Sequence, residues 1–384
     1  MRRTCLLAML LFGCDEAPVA EDAALVDAAL VDAAPNDASR PDASQPEDGG
    51  SGECTDATWE ACIYEPVMHP VDAIEGYTVE LARFRRRFPI LVRYPTDVAE
   101  PLPIVIASHG GSYAPNGHRD LAGWGQTLSR AGYAVIHMAH IEPDMQGDRV
   151  LCQELGVPMA DCDTDLRSTV ATKAIDAVAL MNDLEAVGAW LESMTGARLD
   201  PTRIVTVGWS GGSQTGLTLG GAVRELTFSG SVRFSRPDER VLGAIALSPQ
   251  GPGFSGYFET ADETSMDAVT IPVLIGTGLH DDKPMDDPDL QPAIRRRTFE
   301  NLPGGDGTQR LLFSNLPVGV GGHPSYNLED RGSDDERLAR LTEALMSAAR
   351  AFADATLRDD PAAIAWLDSD AARILAGDAD WVSR

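Results

Sequence analysis

No apolar stretch in this chain of 384 residues is long enough to cross a bilayer as a helix, which takes about 20 residues. Basic charge is scarce as well, with 31 Lys and Arg against 59 Asp and Glu and a formal net charge of −28. Nucleic-acid phosphates demand a basic face, so no nucleic-acid partner is expected. The compact basic groups, Arg85-Arg86-Arg87 and Arg295-Arg296-Arg297, read as solvated or locally paired surface. No His or Cys partners stand at zinc-ligand spacing, which argues against a structural metal, and no long-period helical repeat interrupts the pattern.

What is present at the start is a basic Met1-Arg2-Arg3 followed by the short apolar run 6–12. That pattern predicts a signal peptide over residues 1–13. The run closes on Leu11-Phe12-Gly13-Cys14, which resembles the lipobox of bacterial lipoproteins, so Cys14 is expected to become the lipidated first residue. The resemblance implies an exported protein held to a membrane through that lipid, at the periplasmic face or the cell surface. Residues 14–53 are rich in Ala, Asp, Pro and Ser, with Asp at 22, 27, 32, 37 and 42. No helix or strand has that period, and few large apolar groups are present to offset the ordering entropy. A disordered tether is expected there, with one large domain over 54–384.

Four cysteines remain in that domain: Cys54, Cys62, Cys152 and Cys162. In an oxidising compartment the two local pairs suggest bridges Cys54 to Cys62 and Cys152 to Cys162, although the sequence alone permits other connectivities.

Short β-branched runs recur at 88–94, 103–108, 133–138, 203–208, 242–247, 273–276 and 310–314. They are too continuously apolar for half-exposed strands and suit a mainly parallel sheet covered on both faces. Helical periodicity fills the intervals at 121–131, 169–195 and 334–356. The alternation predicts an α/β, doubly wound sheet with helices on both faces and no insertion large enough for a separate cap domain.

The run Ile204-Val205-Thr206-Val207 leads straight into Gly208-Trp209-Ser210-Gly211-Gly212, a G-x-S-x-G motif. The chemistry needs a sharp strand-to-helix turn that exposes a serine hydroxyl, and glycines beside it because side chains there would meet backbone. Such a serine needs a general base, and the base needs an orienting acid. Following the chain order serine, acid, histidine, the acid should follow a later strand. Two adjacent residues compete there, Asp281 and Asp282, of which Asp281 comes first after the strand and is preferred. His323 in Gly321-Gly322-His323-Pro324 is the only histidine after Asp281 and is the expected base. His69 and His118 read as ordinary loop or surface residues, His280 as a flank of the acid, and His137 and His140 as structural hydrogen-bonding groups or pocket lining. Ser108-His109-Gly110-Gly111 follows an earlier strand, at the level expected for an oxyanion donor. The backbone N–H groups of Gly111 and Gly211 are therefore the expected oxyanion pair, with His109 a structural support.

Taken together, Ser108-His109-Gly110-Gly111, Gly132-Tyr133-Ala134-Val135, Gly208-Trp209-Ser210-Gly211-Gly212, Ala244-Ile245-Ala246-Leu247-Ser248-Pro249 and Thr277-Gly278-Leu279-His280-Asp281-Asp282 resemble the bacterial dienelactone-hydrolase-like and platelet-activating-factor acetylhydrolase-like group of α/β hydrolases. Related polyester-degrading esterases share the frame. The resemblance runs from about residue 77 to 367 and implies the α/β-hydrolase fold. It also implies a cofactor-free and metal-free triad of Ser210, Asp281 and His323 that cleaves carboxylic esters through an acyl-enzyme. Trp209 stands where histidine is common in that group, and Gly111 replaces a bulkier residue; no cysteine nucleophile is present. Segments 142–167 and 251–266, the latter with Phe254, Tyr257 and Phe258, are expected as pocket walls, with Trp124 and Trp209 as aromatic surface or buried packing. The expected partner is an ester, whether a small molecule, a lipid or a polyester. Two other readings stand beside this one: an idle surface-binding lipoprotein on the same scaffold, and a peptidase using the same triad.

Overall fold

The fold is that of a computed structural model, which describes residues 53–111, 113–141, 145–154, 156, 166–226, 232–251, 264–281, 291–317, 319–329 and 331–384. The expected signal peptide, Cys14 and nearly all of the tether lie outside these residues. So do Asp282, Cys162, Phe254, Tyr257 and Phe258.

The chain is an α/β protein built on one nine-stranded mixed sheet. Its strands are β1 (Val71–Leu81), β2 (Arg86–Pro95), β3 (Leu102–Ser108), β4 (Ala134–Met138), β5 (Leu199–Trp209), β8 (Val241–Leu247), β9 (Val273–Gly278), β10 (Arg310–Ser314) and β11 (Ala379–Ser383). The missing numbers belong to β6 (Arg224–Leu226) and β7 (Val232–Phe234), which pair as a separate ribbon. In space the order is β1-β2-β4-β3-β5-β8-β9-β10-β11. The run from β4 to β10 is parallel throughout, while β1, β2 and β11 add antiparallel at the two edges.

The helices are α1 (Ala122–Arg130), α2 (Met145–Glu154), α3 (Leu166–Asn182), α4 (Leu184–Thr195), α5 (Ser213–Leu219), α6 (Gln291–Glu300), α7 (Glu336–Arg358), α8 (Pro361–Leu367) and α9 (Asp370–Ala376). Strand parity explains the unbroken apolar runs. Val105, Val135, Val205 and Ile245 pack with Leu128 of α1 and Leu345 and Phe352 of α7. Their neighbours Ile104, Ile136 and Ile204 face the other way, toward Ile175 of α3 and Val187 and Leu191 of α4. Farther along the sheet, Ala244, Val273 and Leu311 meet Leu217 of α5 and Phe299 of α6. Both faces of the strands are thus removed from water, so neither parity can be polar.

The expected helix over 169–195 is two helices, α3 and α4, divided at Asp183. The Asp183 carboxylate accepts the Tyr77 hydroxyl at 2.8 Å, and so ties the break to β1. Strand β1 escapes the apolar pattern because its covered residues, Val71, Ile74, Tyr77, Val79 and Leu81, keep no single period, the register slipping between Glu75 and Tyr77. Strand β11 is a short, half-exposed edge strand whose sequence carries no run of apolar residues. Helix α7 matches its expectation: Leu338, Leu341, Leu345 and Phe352 are buried, and the Asp335 carboxylate caps its first turn through the N–H groups of Arg337 and Leu338. Cys54 and Cys62 form the expected disulfide, and Cys152 is disulfide-bonded as well, its expected partner lying outside the described residues.

Two of the basic residues expected at the surface are buried. Arg86 sits on the same strand parity as Phe88 and Ile90, and Arg295 lies on the face of α6 that also carries Thr298 and Phe299. Their neighbours Arg85, Arg87, Arg296 and Arg297 do reach solvent. His118, expected at the surface, is also buried, with Glu75 3.8 Å from its ring.

At the amino edge of the sheet, Asp354 of α7 gathers three partners. It accepts the hydroxyls of Tyr133 and Tyr64 and a hydrogen bond from Arg358, whose guanidinium also lies 4.3 Å above the Tyr133 ring. This knot fastens the longest helix to the start of β4. Tyr133→Phe is expected to lower unfolding free energy by about 1.5–3 kcal/mol, the range for a hydrogen bond to a charged group. Urea unfolding followed by circular dichroism checks this, and an unchanged midpoint would contradict it.

Candidate active site

The strand-to-helix turn between β5 and α5 is too tight for side chains. A Cβ on Gly208 would stand 2.2 Å from the Gly212 carbonyl oxygen, and one on Gly212 only 1.9 Å from the Ser108 carbonyl oxygen. Between these glycines Ser210 adopts φ 54, in the left-handed region that a side chain ordinarily avoids. A non-glycine residue held there costs on the order of 1–3 kcal/mol, which the surrounding backbone must impose. The turn buries Ser210, and its Oγ makes no hydrogen bond among the described residues.

Gly111 lies on the loop after β3, the strand next to β5, and has φ 64. A Cβ on Gly211 would be 2.6 Å from the Gly111 carbonyl oxygen, so the two expected donors abut backbone to backbone. Gly211 is also the second residue of the helical turn Ser210–Gly212, a position whose N–H has no acceptor inside the helix.

Asp281 follows β9 and His323 opens the helical turn His323–Asn327 after β10. His323 Nδ1 and Asp281 Oδ1 are 2.6 Å apart, joining residues that the sequence separates by 42 positions. The other carboxylate oxygen accepts the Thr277 hydroxyl at 2.7 Å. Burial pushes the Asp281 carboxyl up. Arg295 and the hydrogen bonds from His323 and Thr277 outweigh that cost and hold it below its ordinary value. A carboxylate can only accept, so Nδ1 of His323 donates, and the basic nitrogen of the neutral ring is Nε2.

Trp209, one residue before the serine, brings the imidazole to the turn. Its Nε1 donates to the His323 carbonyl at 3.1 Å and its ring lies 4.7 Å from the imidazole. Trp124, by contrast, is wholly buried and donates to the Tyr326 carbonyl at 2.9 Å, so its role is packing beneath the His323 turn. His137 is likewise structural, with Nδ1 3.0 Å from the Asp120 carbonyl. His280 lies in the turn next to Asp281, as expected of a flank.

The sequence reading missed three contributors. Arg295 is wholly buried, donates from Nε to the Asp281 carbonyl at 2.7 Å, and reaches the Ser248 carbonyl with a terminal nitrogen at 2.9 Å. Its Nε lies 3.7 Å from the carboxylate, too far for a hydrogen bond but close enough to stabilise the charge. The helical spacing of Arg295 from Thr298 and Phe299 was the available signal. Tyr326 is buried against Gly278, and Ser248 follows β8 with φ 49 and a buried hydroxyl; the sequence carries no signal for Tyr326 and marks Ser248 only as part of the segment 244–249.

Gly111, Ser210, Asp281 and His323 therefore all follow the carboxyl ends of parallel strands. Fold and site together define an α/β protein in which a strained serine, two abutting glycine amides and a buried Asp–His pair share one edge of the sheet. No family model and no curated protein matches the chain.

Because its native pKa is depressed, Asp281 contributes stability above the ordinary carboxylate pKa of about 3.9, and that contribution is lost as pH falls through the lower native value. Arg295→Met removes the guanidinium whose charge holds that pKa down. The fall in Tm on acidification should therefore be smaller than in the wild type, because its onset is set by the unfolded carboxylate and only its lower end moves up. Tm profiles between about pH 3 and pH 7 check this, and superimposable profiles would contradict it.

Proposed function

We propose that the chain has the α/β-hydrolase fold and is a serine hydrolase of carboxylic esters. The observation that carries this reading is the 2.6 Å His323–Asp281 bond, formed on the same sheet edge as the strained Ser210. In this reading Ser210 Oγ attacks the ester carbonyl while His323 Nε2 takes its proton. The same imidazole then protonates the leaving alkoxide, and the acyl group stays on Ser210. A water, deprotonated by His323, attacks the acyl-enzyme and the serine is restored. Asp281 fixes the tautomer and stabilises the imidazolium that forms. The N–H groups of Gly111 and Gly211 receive the carbonyl oxygen as it becomes an oxyanion.

The burial of Ser210 favours a short acyl group over a polymer chain. Trp209, half-buried and stacked near the imidazole, supplies an apolar contact for it. We place the protein outside the cytoplasm, anchored through a lipid on Cys14. The Cys54–Cys62 bridge supports export, since reducing compartments keep such thiols apart.

The test of the activity is hydrolysis of p-nitrophenyl esters of increasing acyl length by the domain without residues 1–53. Turnover should be highest for short acyl groups, and Ser210→Ala should lower kcat by at least about 10⁴-fold. A Ser210→Ala protein that keeps most of the activity would overturn the assignment. For the anchor, palmitate labelling of cells expressing the full chain should disappear in Cys14→Ser; persistence of the label would contradict it.

A further inference from the structure

Beneath the loop that carries Gly111 lies a second Ser–His–Asp chain, sharing no residue with the first. Ser108 Oγ is 2.9 Å from His140 Nε2, and His140 Nδ1 is 2.9 Å from Asp176 Oδ2. Arg86 closes the far end, donating from both terminal nitrogens to the Asp176 carboxylate, at 2.5 Å and 2.9 Å. Thr215 of α5 closes the near end, its hydroxyl 2.9 Å from Ser108 Oγ.

Burial raises the Asp176 carboxyl to about 7 against the pull of Arg86 and Lys173; in its ionised form it can only accept, and the bond directions follow from that. Asp176 must accept from Arg86 and from His140 Nδ1, which leaves Nε2 to accept the Ser108 hydroxyl. Ser108 Oγ in turn accepts from Thr215. A neutral His140 satisfies the whole chain, and burial, with Lys173 and Arg86 adding to it, keeps this ring well below its usual pKa. Ser108, His140 and Asp176 are all buried, and the Ser108 hydroxyl lies between His140 and Thr215.

What the chain does hold is the loop. His140 grips both ends of it: its backbone N–H donates to His109 Nε2 at 3.3 Å, and its carbonyl accepts from the Ala114 N–H at 2.8 Å. His109, accepting at Nε2, must donate from Nδ1, which lies 2.7 Å from the Gly110 carbonyl. Lys173, one turn from Asp176 on α3, donates to the His109 carbonyl at 2.6 Å. Gly111 is the residue that this scaffold presents to the serine turn.

We propose that Ser108, His140 and Asp176, tethered by Arg86, are positioning residues that aim the Gly111 amide at the carbonyl attacked by Ser210. The proposal rests on the esterase reading, in which that amide stabilises the oxyanion. A misplaced donor weakens the transition state more than it weakens substrate binding, so the loss falls on kcat.

Ser108→Ala and His140→Asn break the same bond from its two sides, and His140→Asn still offers Asp176 a donor. On p-nitrophenyl acetate each should lower kcat about 10–100-fold, the scale of a small misplacement, with KM changed less than about 2-fold. Because both act through one bond, the double variant should lose no more than either single variant. Tyr133→Phe, at the opposite edge of the sheet, serves as a destabilised control that keeps its kcat. If either single variant fails to fold, the other carries the kcat comparison. Folded variants with wild-type kcat and a lowered Tm, or losses that multiply in the double variant, would overturn the relay while leaving the esterase intact. A folded wild type without turnover would overturn the esterase reading itself, and the relay with it.

Discussion

The site depends on one close approach of backbone to backbone. The turn after β5 presses Gly212 so tightly against the Ser108 and His109 carbonyls that a single Cβ would stand 1.9 Å from one oxygen and 2.5 Å from the other. From that contact the rest follows. The turn can close sharply enough to drive Ser210 into the left-handed region, and the loop after β3 lies close enough for Gly111 to meet Gly211. Strain at one residue is sustainable because a parallel sheet, packed on both faces, fixes the two strand ends that meet there.

Much of this was legible in the sequence because it rests on local rules. Continuous apolar runs marked the interior strands, and the spacing of Leu338, Leu341, Leu345 and Phe352 marked the inward face of α7. The glycines around Ser210 announced a turn, and chain order nominated Asp281 and His323, which the fold brings to 2.6 Å. What stayed hidden was set by tertiary contact. Arg86 and Arg295 sit in arginine triplets whose other members reach solvent, so their burial depends on partners far away in the chain, Asp176 and the backbone around Asp281 and Ser248. Edge strands β1 and β11 were invisible because a strand covered on one side needs no apolar run.

Two of the buried arginines, Arg86 and Arg295, share a logic. Each is wholly or almost wholly removed from water, and each spends its donors on groups that hold a loop of the candidate site in place. Arg295 ties the acid's backbone to the end of β8 and stabilises its charge. Arg86 fixes a carboxylate that contacts His140, which in turn holds the Gly111 loop. A guanidinium suits this task because it stays charged when buried and can only donate. Asp281 and the Gly111 loop are thus each backed by a buried cation, one on either side of β5.

We propose Ser210 as the nucleophile, and a covalent adduct mapped to its residue is the direct test. After incubation of the folded protein with a fluorophosphonate, peptide mass spectrometry should find one phosphonyl group, on Ser210 alone. An adduct on Ser248, the other buried serine with positive φ among the described residues, or no adduct on folded protein, would contradict that assignment.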